Sequence, residues 1–171
     1  CRVPADARLS GTGFGFSLAA QTALDVGRFS VACGAVGAAA ACLEVALQHA
    51  RTRRQFGKPL IDHPGLRPRL ARMLVATRSA ALFCARAAAA RAAKDDSAIA
   101  ETVLLKYHAT QCLSQVAADA VHVLGASGCA RDALVARHHA DASLLEIIEG
   151  STEIQELLIA QALASGYDWL L

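Results

Sequence analysis

The sequence predicts an all-α chain, an antiparallel four-helix bundle with an additional C-terminal helix. Three observations carry that expectation. Hydrophobic residues make up 54% of the 171 positions but aromatics only 5%, so alanine and leucine fill the core, which suits closely packed helices better than strands. Apolar residues recur at helical spacing over long stretches. Glycine and proline cluster at a few points only, leaving long helices with short connections and therefore antiparallel neighbours. A chain of this length fits one domain that removes roughly 70% of its unfolded surface from water.

Residues 1–13, with Pro4, Gly11 and Gly13, read as an extended or looped lead-in rather than a helix. The Gly11-x-Gly13-x-Gly15 run follows no apolar strand and lacks the spacing of a dinucleotide fingerprint, so it is not taken as a phosphate loop. From about Phe14 to Arg53 a long helix is predicted, with Phe16, Ala20, Leu24, Val31, Val36, Leu43 and Leu47 on its apolar faces. Gly34 and Gly37 are costly in a helix and imply close approach of another one. Arg53 to Pro68 holds Gly57, Pro59, Pro64, Gly65 and Pro68 and reads as a loop with a basic rim. A second helix runs from about Leu66 to Ala93, with Leu70, Met73, Leu74, Ala81, Leu82 and Ala85 as its apolar stripe. After the turn Lys94–Ser97, Ser97 is expected to cap a third helix. That helix ends near Leu124, with Ile99, Val103, Tyr107, Cys112, Val116 and Val123 inside. Leu124-Gly125-Ala126-Ser127-Gly128 stops it. A fourth helix covers Arg131 to about Leu145. The last runs from Thr152 to about Ala164, opened by a Thr152-x-x-Gln155 capping box.

Composition narrows the function classes. A formal net charge of +2 favours neither a nucleic-acid nor an acidic-membrane partner. Cys1, Cys33, Cys42, Cys84, Cys112 and Cys129 form no C-x-x-C pair, and several fall in apolar helical stretches, so reduced thiols in a cytoplasmic protein are expected. No leader pattern is visible, and charges are expected to break the apolar stretches short of a membrane span. The chain opens on Cys1 and its only methionine is Met73, which suggests a piece of a longer product. No glutamate has a histidine three residues on, against a di-iron bundle. The adjacent His138 and His139 point about 100° apart on a helix, so no metal site is expected. No G-x-S-x-G element occurs, and no cysteine has a histidine motif to support nucleophilic catalysis.

Chemistry concentrates in Ile147-Ile148-Glu149-Gly150-Ser151-Thr152-Glu153-Ile154-Gln155. A carboxylate follows two apolar residues and precedes a glycine and a helix start with capping hydroxyls; a base and a polar turn both fit. The cluster Arg51, Arg53, Arg54 and Lys58 lies where the first helix ends. Cations suit a helix C-terminus, and arginine also offers two parallel donors to a phosphate. Phe56-Gly57 adds a flat apolar surface. Asp25-x-x-Arg28 is either a helical ion pair or a polar site for an adenylate group.

In order, G-x-G-F (Gly13 to Phe16), L-D-x-x-R (Leu24 to Arg28), R-x-x-F-G-x-P-L (Arg53 to Leu60), L-G-x-x-G (Leu124 to Gly128) and I-x-E-G-[ST] (Ile147 to Ser151) resemble the C-terminal part of the acyl-CoA dehydrogenase family over nearly the whole chain. The resemblance implies FAD as cofactor, desaturation of an acyl thioester, and a helical domain at the core of a homo-oligomer, a dimer or tetramer. The thioester is carried on coenzyme A or on an acyl-carrier protein. It implies that Glu149 takes the α-proton while the β-hydrogen leaves as hydride to flavin. Gly150 adjoins the substrate, and Asp25 and Arg28 meet its adenylate end. Arg53 and Phe56 contact the FAD of a neighbouring subunit, with Gln55, His122 and Gly125 at the cofactor and Ser151 and Glu153 near it. Some members place the base on the first helix just before the arginine; here that position is Gly27. Ile147 and Ile148 are expected to shield the carboxylate from water.

The same resemblance makes residues 1–13 a lead-in from a missing β-domain and residues 14–171 the bundle domain. It implies that the missing domains supply most of the flavin pocket, leaving the fragment alone inactive. The chain departs from the family pattern at His122, where many members have glutamine, at Ala126 for glycine, at Gln55 for threonine and at Ala140 for arginine. A non-catalytic oligomerisation module of the same fold is the alternative those departures favour. A nucleic-acid-binding relative using the Arg51–Lys58 cluster is a third reading, against which the near-neutral charge speaks.

Overall fold

Helix α3 (Ala98–Leu124) is the axis of the molecule. It packs against α1 (Gln21–Thr52), α2 (Arg67–Ala93), α4 (Leu134–Ile147) and α5 (Thr152–Ala164), and Leu105, Ala109, Leu113, Val116, Ala117 and Ala120 on it are fully enclosed. The structure, a computed structural model, describes residues 1–8 and 13–165; Gly11 of the lead-in lies outside them. The architecture is the all-α bundle with an additional C-terminal helix. Within it, α1 and α3 form the most extensive pair of helices.

The α1 seam is made of small residues. Ala32, Ala35, Ala39, Cys42, Ala46 and Ala50 are fully buried at three- and four-residue spacing, which lets two backbones approach closely and gain dispersion contacts along their length. The larger residues expected on this face flank the seam: Val31, Val36 and Leu47 are only partly buried, and Phe16 is exposed in a π-helical turn (Phe16–Ala20) that precedes α1. Gly34 and Gly37 play no packing role among the described residues, since a Cβ at either would meet nothing of theirs within 4 Å. On α2 the stripe is rotated from the expected one. Leu70, Met73, Thr77, Ala80, Ala87 and Ala90 are buried, whereas Leu74 and Leu82 face out, as does Ile99 at the start of α3. With alanine on several faces, the periodicity of the large residues does not identify the buried one.

α1 and α2 are each long and apolar enough to cross a membrane, and no charge falls between Phe29 and Leu43. The expectation that charges cut these stretches short is therefore corrected for α1, while on α2 Arg72, Arg78 and Arg86 do interrupt the apolar run. Here both helices are layers of the bundle.

Connections carry more structure than the sequence suggests. The segment read as a plain loop contains a short hairpin, β1 (Arg54–Gln55) against β2 (Lys58–Pro59), turned by Phe56 at φ 49° and Gly57 at φ 80°. Two consecutive left-handed residues give the primed turn that matches strand twist. A 3₁₀ turn (Leu60–Asp62) then leads to α2, whose first turn accommodates Pro68 because the missing N–H is not needed there. Ser97 does not cap α3 through its side chain; its backbone N–H donates to Asp95 Oδ1 at 2.8 Å. Gly125 ends α3 at φ 62° and opens another 3₁₀ turn (Gly125–Cys129). A Cβ on Gly128 would lie 2.7 Å from the Val121 carbonyl, so the second glycine of L-G-x-x-G seats this turn on the helix it has left.

Candidate active site

Between α4 and α5 the chain reverses through Glu149 at φ 58° and Gly150 at φ 96°. A left-handed non-glycine residue costs on the order of 1–3 kcal/mol and persists only where its surroundings hold it. Donors from three helices hold this one. Arg28 of α1 donates Nε–H to the Glu149 carbonyl at 3.0 Å. Lys106 of α3 donates from Nζ to the carbonyls of Glu146 at 3.1 Å and Gly150 at 2.7 Å. Gln155 of α5, fully buried, donates Nε2–H to the same Gly150 oxygen at 3.2 Å. The Glu149 carboxylate lies against α1: a Cβ built on Gly27 would stand 2.2 Å from its Oε2. The space that a side chain at position 27 would fill is taken by the carboxylate of position 149.

Several neighbours differ from the sequence reading. Asp25 and Arg28 do not pair with each other. Asp25 Oδ2 accepts from Arg91 at 2.7 Å, and Arg91, on α2, also reaches Thr102 at 3.1 Å and lies 4.9 Å over the Phe29 ring. Among the described residues Asp25 Oδ1 is buried with no partner. Ile147 and Ile148 are exposed, so neither shields the carboxylate within this chain. Ser151, not Thr152, is the N-cap position of α5, and Gln155 turns to Gly150 instead of closing a capping box. Glu153 occupies the first turn of α5; the Ser151 hydroxyl and its own backbone N–H hold its carboxyl below the ordinary range. Lys106 is fully enclosed. Burial pushes its pKa below the ordinary lysine value and the charge of Arg28 does so further, against the opposing pull of Glu146, Glu149 and Glu153.

Beside this turn an apolar groove of about 390 Å³ runs between α1, α3 and α5, lined by Phe16, Leu24, Asp25, Arg28, Val103 and Ile154 among others. An apolar channel with one acid and one guanidinium fits a ligand that is mostly hydrocarbon with a polar portion.

A second cleft, of about 350 Å³, lies where the hairpin meets the end of α3, lined by His49, Arg53, Gln55, His122, Gly125 and Ser127 among others. The Gly125 N–H donates back to the Val121 carbonyl and closes the end of α3 beside this cleft. His122 donates Nδ1–H to the Ala118 carbonyl at 2.8 Å. Phe56 stands 94% exposed at the hairpin tip. Arg54 Nη2 donates to the Gly57 carbonyl at 2.8 Å and stiffens that tip. A cleft with an arginine in its lining fits a phosphate-bearing group.

A family model described as acyl-CoA dehydrogenase, C-terminal domain, matches residues 13–164. The chain belongs to the acyl-CoA dehydrogenase family. It is 37% identical over 167 residues to the mitochondrial short-chain specific acyl-CoA dehydrogenase of Sus scrofa, covering 98% of this chain and 40% of that protein. Butyryl-CoA dehydrogenase from Megasphaera elsdenii matches in structure with a TM-score of 0.87 at 33% identity, over 95% of this chain and 42% of its own. FkbI, for biosynthesis of the methoxymalonyl extender unit of a polyketide, matches with a TM-score of 0.75 at 39% identity, over 83% of this chain and 38% of its own. This acyl-CoA dehydrogenase domain thus spans about 40% of the length of the relatives it matches.

The bundle of this acyl-CoA dehydrogenase domain divides the candidate residues into two sets. Asp25, Arg28, Glu149, Gly150, Ser151 and Glu153 gather at one end. Arg53, Gln55, Phe56, His122 and Gly125 gather at the other. From Arg28 in α1 to Arg53 just past its end there are 25 residue steps, which separate the sets by about 38 Å at 1.5 Å per step. Lys106 and Arg91 were missing from the sequence reading. A lysine in the middle of an apolar helical run was the available signal for the first; the partnership of Arg91 with Asp25, 66 positions away, had none.

Proposed function

We propose that this chain is the C-terminal helical domain of an FAD-dependent acyl-thioester dehydrogenase in which Glu149 is the base that takes the α-proton. The observation that carries the reading is the seat of Glu149: a left-handed residue held by donors on its own and its neighbours' carbonyls, with its carboxylate against Gly27 and an apolar groove alongside. An acyl chain fits that groove. Asp25 Oδ1, buried without a partner among the described residues, accepts a donor from the polar portion of the thioester, and Arg28 stands on the same wall. The substrate is an acyl thioester of coenzyme A or of an acyl-carrier protein. Flavin, when bound, supplies the hydride acceptor.

The cleft at Arg53, Gln55, His122 and Gly125 suits the phosphate portion of FAD, with Phe56 as an apolar contact. Its separation of about 38 Å from the Glu149 end supports a homo-oligomer in which this cleft serves a neighbouring subunit's cofactor, while Ser151 and Glu153 lie near the cofactor beside their own Glu149. Exposed Leu74, Val75 and Leu82 on α2 supply apolar surface for such an assembly. Six cysteines with no disulfide among them support a reducing, cytoplasmic setting. Residues 1–13 then lead in from a preceding β-domain, and the isolated chain binds FAD poorly and is inactive.

Glu149→Gln in the full-length enzyme tests the assignment. Turnover is expected to fall on the order of 10²–10⁴-fold while the flavin absorbance of the purified protein stays unchanged. Full activity in that variant overturns the reading.

A further inference from the structure

The carbonyls on either side of Glu149 are fastened by one buried ammonium. Lys106 is 0% exposed, and its Nζ bonds to backbone oxygens only, those of Glu146 and Gly150. Among the described residues no carboxylate forms an ion pair with it. An enclosed ammonium without a counter-ion is costly, and a neutral side chain of similar length would fill the same space more cheaply. The charge therefore needs a use.

Two features indicate one. The Glu146 carbonyl belongs to the last turn of α4, where carbonyls lack helical partners and a cation is favourable. Gly150 lies just past the left-handed residue, so the two bonds bracket the strained turn and fix the direction in which Glu149 leaves the backbone. We propose that Lys106 is a positioning residue for Glu149, clamping the α4–α5 turn so that the carboxylate is delivered against α1 and a positive charge is kept beneath the ionised base. This rests on Glu149 being the base. The charged groups around the turn are Asp25 and Arg28 from α1, Lys106 from α3, Glu146 from α4 and Glu153 from α5; Glu146 is occupied by the Ser114 hydroxyl. Without Lys106, Arg28 is left as the cation of the turn, opposed by the acids.

The test is Lys106→Met in the full-length flavin-loaded enzyme. Expected are a 10–100-fold fall in kcat, a KM within threefold of wild type, and an acid limb of kcat/KM moved to higher pH. The kinetic isotope effect with substrate deuterated at the α-carbon should rise as proton abstraction becomes limiting. A mere loss of folded enzyme would move neither the pH limb nor the isotope effect. If the methionine variant does not fold, Lys106→Gln, which keeps a donor and drops the charge, is read in the same way. Coupling is checked without turnover: Lys106→Met should lower the unfolding midpoint less in a Glu149→Gly background, where the left-handed turn needs no clamp. Wild-type kcat, pH limb and isotope effect in the Lys106 variants, alongside an inactive Glu149→Gln enzyme, overturn this inference alone. An active Glu149→Gln enzyme overturns the base assignment on which it rests.

Discussion

Gly27→Ala separates the seat of the base from the stability of the helix that supports it. Gly27 lies inside α1 and is not among the positive-φ residues, so alanine is compatible with the backbone and favours the helix by about 1 kcal/mol. The new methyl, however, would stand 2.2 Å from Glu149 Oε2, 2.3 Å from Cδ and 2.8 Å from Oε1. Ordinary contact needs about 3.5–4.0 Å, so the carboxylate must retreat by roughly 1.3–1.8 Å. The end of a partly exposed side chain can do this for about 0.5–1.5 kcal/mol of rotamer strain, which roughly cancels the helix gain. A displacement of about 1 Å from a productive geometry lowers rate on the order of 10²-fold. The expected outcome is an unfolding free energy within about 1 kcal/mol of wild type with kcat about 100-fold lower, from denaturant titration and steady-state turnover of the full-length enzyme. Gly34→Ala is the control, because a methyl there meets nothing of the described residues within 4 Å; it should gain stability and keep its rate. A Gly27→Ala enzyme with kcat within about threefold of wild type would refute the placement of the carboxylate, since the displacement argued above requires a far larger loss.

Two further outcomes follow from side chains between α1, α2 and α3. His108 is half-buried, with Nε2 2.9 Å from Ser79 Oγ and its ring 4.9 Å from that of Phe83, and burial lowers its pKa from the ordinary 6.5. Between the folded value and 6.5 the unfolded chain binds more protons than the native one, so stability rises with pH across that window and falls on acidification through it. Chemical denaturation from pH 7.5 downward should show the slope, at most about 1.4 kcal/mol per pH unit from this group, and His108→Gln should remove that part. Cys33 on α1 and Cys84 on α2 stand with Sγ atoms 3.5 Å apart. Diamide should join them, with loss of two hydrogens by mass spectrometry and none in Cys33→Ser. Burial first, then the Cys84 thiol, pushes Cys33 up to about 11, so the reaction should be slow at neutral pH and quicken about tenfold per pH unit below that value.

The helical class was legible in the chain, and so were the ends of α2, α3 and α5, whereas α1 and α4 begin later than their sequence suggests. Alanine and leucine with few aromatics leave little for a sheet to bury, and the glycines at 125 and 150 stand where a left-handed backbone is required. The ordered motifs were enough to indicate the family and to single out Glu149. The buried faces were not legible, because residues of similar hydropathy occur all around α1 and α2, and the bundle chose the small ones that let backbones approach. Nor was the capping at Ser97 and Thr152, where Asp95 and Gly150 supplied alternative partners. Tertiary structure alone decided that Lys106 and Arg28 fasten the turn of Glu149, that Arg91 takes Asp25, and that Arg53 and His122 lie at the far end of the bundle. Those pairings join residues up to 121 positions apart. Periodicity says which way a side chain points from its own helix; only the packing of one helix on another says what it meets there.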